Sequence, residues 1–531
     1  MVAPSLVAFL PPLLPILVAA ISPEPTVAAH SHSKPKPFPP LTPLRMQALL
    51  RHERGSSSRG GKLVVTAAAD GTSSTAANPF TAHYFPQELD HFTFTPNASM
   101  LFYQKYLVND TFWRRPSGGK GAAAGPLFVY TGNEGDIEWF ATNTGFMFDI
   151  APKFGALLVF IEHRFYGEST PFGNNADNFS KTLGYLTSTQ ALADYAILIT
   201  SLKRNLSAED APVVVFGGSY GGSKSFLNHG LKYPHIAIGA LASSAPILQF
   251  DYITPSNSFY DAISQDYKSE SLNCFAVIKA TWDVLDERGS SDKGLLELSK
   301  LTVKYADSIG GWLEIAFIYT AMVHYPTPAN FLENLPAYPV KEMCKIIDGF
   351  PANADILEKV FAAASLYYNY TGDQTCNQIE YEDSSHSSVL SDWGWQACTE
   401  MIMPMSRSNE SMFPPSTFSY DDVSNACLQL NGVPSRPHWI TTEYGGHKID
   451  KVLKRFGSNI IFSNGMRDPW SRGGVLKNIS SSIVALVTEK GAHHLDLRSE
   501  TKDDPDWVVE QRRQEVEIIQ GWIDQYHQDM A

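Results

Sequence analysis

The run Val213-Val214-Val215-Phe216 leads into Gly217-Gly218-Ser219-Tyr220-Gly221-Gly222, a serine bracketed by two pairs of glycines, and a helix-like segment follows from Ser223 to Tyr233. A β-branched apolar run predicts a strand. Glycines packed this densely predict a turn where the backbone approaches itself closely and adopts dihedrals that side chains resist. A serine at the tip of such a strand–turn–helix exposes its hydroxyl above the sheet, beside the unpaired N–H groups of a helix N-terminus. Gly217, Ser219 and Gly221 match the Gly-x-Ser-x-Gly nucleophile elbow in the setting that motif requires.

The flanking segments supply a sheet for this turn. Leu127-Phe128-Val129-Tyr130 is an apolar run ending at Thr131-Gly132-Asn133-Glu134-Gly135-Asp136, and residues 156–161 form another, ending at Glu162-His163-Arg164-Phe165-Tyr166-Gly167. Residues 188–202 have helical periodicity, and residues 238–242 are a further apolar run. Strands that are apolar throughout and separated by helices predict a parallel sheet covered on both faces.

After Pro246 the pattern turns helical. Phe275, Ile278, Trp282 and Leu285 share one face, and residues 312–323 and 355–368 also read as helices. Sheet character returns at Asn459-Ile460-Ile461-Phe462-Ser463 and at residues 483–488. A closing helix spans 508–526, with Val509, Val516, Ile519, Trp522, Ile523 and Tyr526 on its apolar side. The economical organisation is an α/β domain in two parts, 83–244 and 443–531, interrupted by a helical insertion over 245–442.

At 531 residues the chain is long enough for two lobes, and its net charge of −14 argues against nucleic acid and anionic membranes as partners. The apolar run from Leu6 to Ile21 contains Pro11, Pro12 and Pro15, which predicts a secretory signal region over 1–29 and not a membrane span. Residues 30–82, rich in Pro, Ser, Gly and Ala, read as a disordered leader. Secretion agrees with glycosylation sequons at Asn97, Asn109, Asn178, Asn205, Asn369, Asn409 and Asn478. Five cysteines (Cys274, Cys344, Cys376, Cys398 and Cys427) predict two disulfides and one leftover thiol, and their spacing is not that of a zinc site. No metal and no cofactor is expected.

An elbow serine needs a base and a group to orient that base. The α/β-hydrolase order along the chain is Ser, then Asp or Glu, then His, with the last two just past later strands. Asp468 and His493 satisfy it, and His494 is the rival base. In this reading Ser219 attacks an acyl carbon, His493 takes and returns the proton, and Asp468 holds the imidazole. The N–H of Tyr220 is one expected oxyanion donor, and the second is expected within Asn133 to Gly135.

Together, Gly217 to Gly222, Asp468-Pro469-Trp470 and Gly491-Ala492-His493-His494-Leu495-Asp496-Leu497-Arg498 resemble the lysosomal Pro-Xaa carboxypeptidase family, which also includes dipeptidyl peptidase II. The resemblance extends over Gln87-Glu88-Leu89-Asp90-His91-Phe92 and Trp395-Gln396-Ala397-Cys398-Thr399-Glu400. It implies an α/β-hydrolase core with a large helical cap, and serine exopeptidase activity next to proline. It puts the nucleophile, acid and base on Ser219, Asp468 and His493. It also implies disulfides Cys274–Cys344 and Cys398–Cys427, and a proline pocket lined by Trp470 and Met403.

Ser223-Lys224 stands where the family carries a bulky apolar residue, so the pocket wall at Ser223 is expected to be smaller and more polar. Arg467 and Arg472 flank the acid in place of an apolar residue and in a glycine-rich run, where they could shift Asp468. Glu134 is a candidate anchor for a substrate terminus, Glu162 is expected to be structural, and Arg498 is expected behind Asp468. The reading is a Pro-Xaa carboxypeptidase acting on peptides in the vacuole, lysosome or extracellular space. A dipeptidyl peptidase is the alternative, and an esterase or an inactive hydrolase-fold binding protein is more remote. The oligomeric state stays open, a homodimer being one option.

Overall fold

An apolar residue at every position of a strand means that both faces of the strand are covered. The structure, a computed structural model, describes residues 80–94, 100–116, 124–171, 183–290, 309–373 and 392–531. Its strands are β1 (Thr81–Glu88), β2 (Leu101–Asn109), β3 (Leu127–Thr131), β4 (Leu157–Ile161), β5 (Val213–Gly218), β6 (Gly239–Ser243), β7 (Ile460–Gly465) and β8 (Ile483–Thr488). They form one sheet in the order β1-β2-β4-β3-β5-β6-β7-β8. β1 and β2 pair antiparallel, as do β2 and β4, and every pairing from β4 to β8 is parallel. The two-residue period divides each run between two cores. Leu127, Val129, Val213 and Val215 face one, while Phe128, Tyr130, Val214 and Phe216 face the other.

β3 has β4 on one side and β5 on the other, so the strand order reverses there. In an α/β sheet the crevice at the carboxyl ends of such strands is the usual ligand site. Helices α1 (Ile137–Asn143) and α2 (Phe146–Phe154) follow β3, while α3 (Ser188–Asn205) and α4 (Ser219–Leu227) lie on either side of β5 in sequence. α3 begins where the Thr187 side chain accepts the Gln190 N–H, a cap that contributes about 1 kcal/mol.

Between β6 and β7 the chain makes the helical insertion. The helices between these two strands are α5 (Ser258–Glu270), α6 (Leu272–Gly289), α7 (Ile309–Met322), α8 (Pro339–Gly349), α9 (Ile356–Asn369), α10 (Asp392–Thr399), α11 (Tyr420–Asn431), α12 (Trp439–Tyr444) and, past residue 442, α13 (Ile449–Phe456). α7 is apolar almost all round and is buried accordingly. Trp312, Phe317 and Tyr367 of the insertion belong to the same core as Val129 and Val215, so the insertion shares its core with the sheet instead of forming a detached lobe. Cys274–Cys344 ties α6 to α8 and Cys398–Cys427 ties α10 to α11, the pairing the resemblance implies. Helix α14 (Asp506–Met530) closes the fold against the second core through Ile519, Trp522 and Ile523. Val516, Ile519, Trp522 and Ile523 of the expected apolar side pack there, whereas Val509 is half exposed and Val508 is buried in its place.

β1 opens at Thr81, so Thr81 and Ala82 are strand residues and not leader. The signal region, most of the leader, Cys376, Asn97 and Asn178 lie outside the described residues. Asn205, Asn409 and Asn478 are exposed and Asn369 is half-buried. Asn109 is only 6% exposed, and its Oδ1 accepts the Thr111 N–H at 3.0 Å. Among the described residues no helix is long and apolar enough to cross a membrane.

Candidate active site

Ser219 sits directly after β5 and opens α4, with φ at +56°, in the left-handed region that side chains resist. The neighbouring glycines make this turn feasible. A Cβ on Gly217 would lie 2.3 Å from the Gly221 carbonyl oxygen, and one on Gly221 would lie 2.3 Å from Asn133 Oδ1. That close approach locks the loop after β3 to the elbow. Asn133 Nδ2 donates to the Gly218 carbonyl at 2.8 Å, and its Oδ1 accepts the Tyr130 hydroxyl at 2.8 Å.

Asp468 follows β7 and begins a turn. Its Oδ1 accepts the Trp470 N–H at 3.0 Å, and its Oδ2 faces His493 Nδ1 at 2.8 Å. Both carboxylate oxygens are engaged and the side chain is fully buried. The carboxylate assigns the proton to Nδ1 and leaves Nε2 free to accept one. His493 follows β8 and lines the same cavity as Ser219. Among the described residues no hydrogen bond joins Ser219 Oγ to His493, a contact that often tightens only in the substrate complex.

The insertion holds His493 through its backbone. The His493 N–H donates to the Met322 carbonyl at 2.9 Å, and the Tyr325 hydroxyl donates to the His493 carbonyl at 2.8 Å. Sequence reasoning did not find Tyr325, because it stands past the end of α7 in a stretch that reads only as a turn before Pro326. His494 packs its ring on Gly218 and edge-on to Phe331 at 4.8 Å. Burial pushes its pKa well below the ordinary imidazole value, so it stays neutral. No carboxylate hydrogen-bonds its ring among the described residues.

A cavity of about 800 Å³, part of it open to solvent, joins these groups. Ser219, Tyr220, Ser223, Asn133 and Glu134 form its sheet side; Trp393, Met401 and Met403 from the insertion, together with Trp470, form apolar walls. Gly135 is not among its lining residues, so Asn133 and Glu134 are the part of the β3 loop that meets it. The Trp470 ring is steadied by Phe259 at 4.7 Å. Trp393 and Met401 were missed in the sequence, although both flank the motif at 395–400.

That motif supports the elbow. Gln396 Nε2 donates to the Tyr220 hydroxyl at 2.5 Å, and the Tyr166 hydroxyl donates to Gln396 Oε1 at 2.6 Å. Glu400 accepts the Ser188 N–H at 2.7 Å at the start of α3. Lys224 does not line this cavity. It turns beneath the elbow to His163 Nε2 at 2.6 Å and lies over the Tyr220 ring, where burial lowers its pKa.

Glu162 is structural, as expected. Its carboxylate accepts the N–H groups of Ile137, Glu168 and Ser169 and the Ser169 hydroxyl, and burial pushes it up to about 7. Arg467 turns from Asp468 to the His324 ring and to Glu270 at 3.0 Å, because the insertion presents a carboxylate there. Arg498 likewise is not on Asp468: it donates to Asn143 Oδ1 at 2.8 Å and lies across Tyr325 and Phe331. Arg472 does sense Asp468, whose charge partly opposes the lowering of its pKa by burial.

A buried acid hydrogen-bonded to an imidazole, beside a serine on a strained turn, is the equipment of acyl transfer. Residues 87–515 match the family described as Serine carboxypeptidase S28. The Lysosomal Pro-X carboxypeptidase of Mus musculus is 42% identical over 458 residues, covering 84% of this chain and 90% of the relative. That of Homo sapiens is 41% identical over 462 residues, covering 85% and 90%. The Prolyl carboxy peptidase like protein 5 of Caenorhabditis elegans is 36% identical over 464 residues, covering 83% and 89%. Taken with the sheet order and the residues gathered at its carboxyl edge, these matches show that the chain belongs to the S28 family of serine carboxypeptidases, enzymes of the serine exopeptidase type.

Proposed function

We propose that this enzyme removes the C-terminal residue from peptides whose penultimate residue is proline, with Ser219, His493 and Asp468 as its catalytic residues. The observation that carries the reading is the hydrogen bond from His493 Nδ1 to a fully buried Asp468, in the cavity that holds Ser219. The substrate class is supported by relatives named Pro-X carboxypeptidases at 41–42% identity.

Ser219 Oγ attacks the proline carbonyl carbon while His493 Nε2 accepts the hydroxyl proton, and Asp468 stabilises the imidazolium through Nδ1. The carbonyl oxygen becomes an oxyanion held by the Tyr220 N–H and by a backbone N–H of the loop from Asn133 to Gly135. Collapse expels the C-terminal residue as its amine, which takes the proton from His493. Water, deprotonated by His493, then attacks the prolyl ester and frees Ser219. Trp470 and Met403 hold the pyrrolidine ring by apolar contact, with Ser223 as the small wall opposite. Glu134, which lines the cavity, is the group assigned here to a substrate terminus. Relatives named lysosomal support a lysosomal or vacuolar location reached through the secretory pathway.

Two peptides test this reading: an N-blocked peptide ending in Pro-Phe, and a free-amine Xaa-Pro amide. Release of phenylalanine from the first is expected, together with loss of turnover and of fluorophosphonate labelling in Ser219→Ala. Release of the dipeptide alone from the second would overturn the carboxypeptidase reading in favour of a dipeptidyl peptidase.

A further inference from the structure

A second cavity lies beside that of Ser219. It holds about 480 Å³ of space, part of it open to solvent, and its walls include Leu227, Ile247, Phe250, Ile440 and Ile449. The two cavities share Tyr220, Ser223 and Met401, and these side chains form the partition between them. Tyr220 is held by Gln396 at 2.5 Å. Met401 is unbranched and adapts its shape to what lies beside it. Ser223 is one of the smallest side chains that could stand there. It lies one turn of α4 beyond Ser219, with its Oγ reaching back to the Ser219 carbonyl at 3.4 Å. The partition is therefore thinnest next to the reacting serine.

The side chain of the residue whose carbonyl is attacked hangs from the neighbouring carbon and must lie close to Ser219. Proline closes its side chain onto its own nitrogen and fills only the first cavity. We infer that the second cavity extends this subsite past Ser223, so that the enzyme also accepts phenylalanine or leucine in the penultimate position. The inference rests on the carboxypeptidase reading above. Its occupant is apolar because the polar groups around the second cavity are already engaged. Ser188 Oγ meets Glu400 and the Tyr444 hydroxyl, and Lys224 Nζ turns away to His163. A polar or charged side chain entering it would lose its water without gaining partners.

The test uses the full-length enzyme and three N-blocked dipeptides with a common C-terminal phenylalanine, preceded by proline, leucine or phenylalanine. Two substitutions narrow the second cavity: Ser223→Met closes the passage, and Ile440→Phe fills it from the far end. The readout is the ratio of kcat/KM for the leucine or phenylalanine substrate to that for the proline substrate. Both rates come from one preparation, so any loss of folded enzyme cancels. The wild type is expected to cleave all three, and each substitution to lower the ratio roughly tenfold or more, the discrimination a methylene or two confers in an apolar pocket. Cleavage of the proline substrate alone by the wild type would overturn the extension and leave the carboxypeptidase reading intact. Cleavage of the long substrates with a ratio unmoved by both substitutions would overturn it too. No cleavage of any of the three would overturn both readings.

Discussion

Replacing Tyr325 by phenylalanine tests whether the insertion sets the geometry of the base or only covers it. The hydroxyl donates to the His493 carbonyl at 2.8 Å, opposite the bond from the His493 N–H to the Met322 carbonyl. Tyr325 is 1% exposed, and its ring packs under Arg498. Phenylalanine keeps that packing and removes a single donor. The His493 carbonyl is then buried without its hydroxyl partner, at a cost of about 1–3 kcal/mol. The backbone relieves that cost by moving, and the imidazole moves with it relative to Ser219. A displacement of about 1 Å can cost roughly 100-fold in rate. We therefore expect kcat on the Pro-Phe peptide to fall by about 10- to 100-fold. KM should stay within about twofold, because Tyr325 does not line the substrate cavity. The fluorophosphonate labelling rate, which reads Ser219 activation without peptide binding, should fall in parallel. Unchanged kcat and labelling rate beside a lower melting temperature would refute the reasoning, since the hydroxyl would then only dock the insertion.

Removing the Cys398–Cys427 bridge by paired serine substitutions frees a loop of 29 residues, for which chain entropy alone predicts a loss of about 3–4 kcal/mol in chemical denaturation. Gly221→Ala drives a methyl group against Asn133 and the Thr131 carbonyl, so activity should be lost even in the folded fraction isolated by gel filtration. Glu162, pushed up to about 7 from 4.5 by burial, keeps a proton that the unfolded chain has already released between those values. Its contribution to stability therefore declines as pH rises from about 4.5 to 7, by about 3 kcal/mol in all. Glu162→Gln should flatten the fall in melting temperature over that window. His163 and His494, lowered by burial, act in the opposite sense below about 6.5 but are present in both proteins and cancel in the comparison. An unchanged slope would contradict the assignment.

The elbow was legible in the sequence because its glycines answer local constraints, and Asp468 and His493 because each directly follows an apolar strand. The central strands were legible for a related reason: strands covered on both faces read as unbroken apolar runs. β1 was not, since most of its residues are exposed on the sheet edge and leave no such run. On α14 only the first turns were misread, Val509 for Val508, because Gln511, Arg512 and Glu515, all polar, share the buried face there. The partners of Arg467 and Arg498 could not be read at all. Those partners lie on Glu270, His324 and Asn143, more than a hundred positions away, and no local pattern announces them. The same holds for Gln396. It stands in a recognisable motif, yet nothing in its neighbours says that it reaches Tyr220.

Those long-range contacts bear on what the insertion is for. Ser219, Asp468 and His493 follow β5, β7 and β8, so the sheet alone could bring them to one edge. The insertion nonetheless grips the site twice. Gln396 holds the residue after the serine, and Met322 with Tyr325 holds both backbone groups of His493. It also supplies Trp393, Met401 and Met403 to the cavity wall. A lid that merely excluded long substrates could loosen without touching the chemistry, and its loss would broaden specificity while kcat persisted. With Tyr220 and His493 in the roles proposed above, loosening the insertion would disturb the oxyanion side and the base together. Substrate selection and chemical competence thus depend on the same buried contacts, and perturbing the insertion should lower kcat before it relaxes the preference for short chain ends.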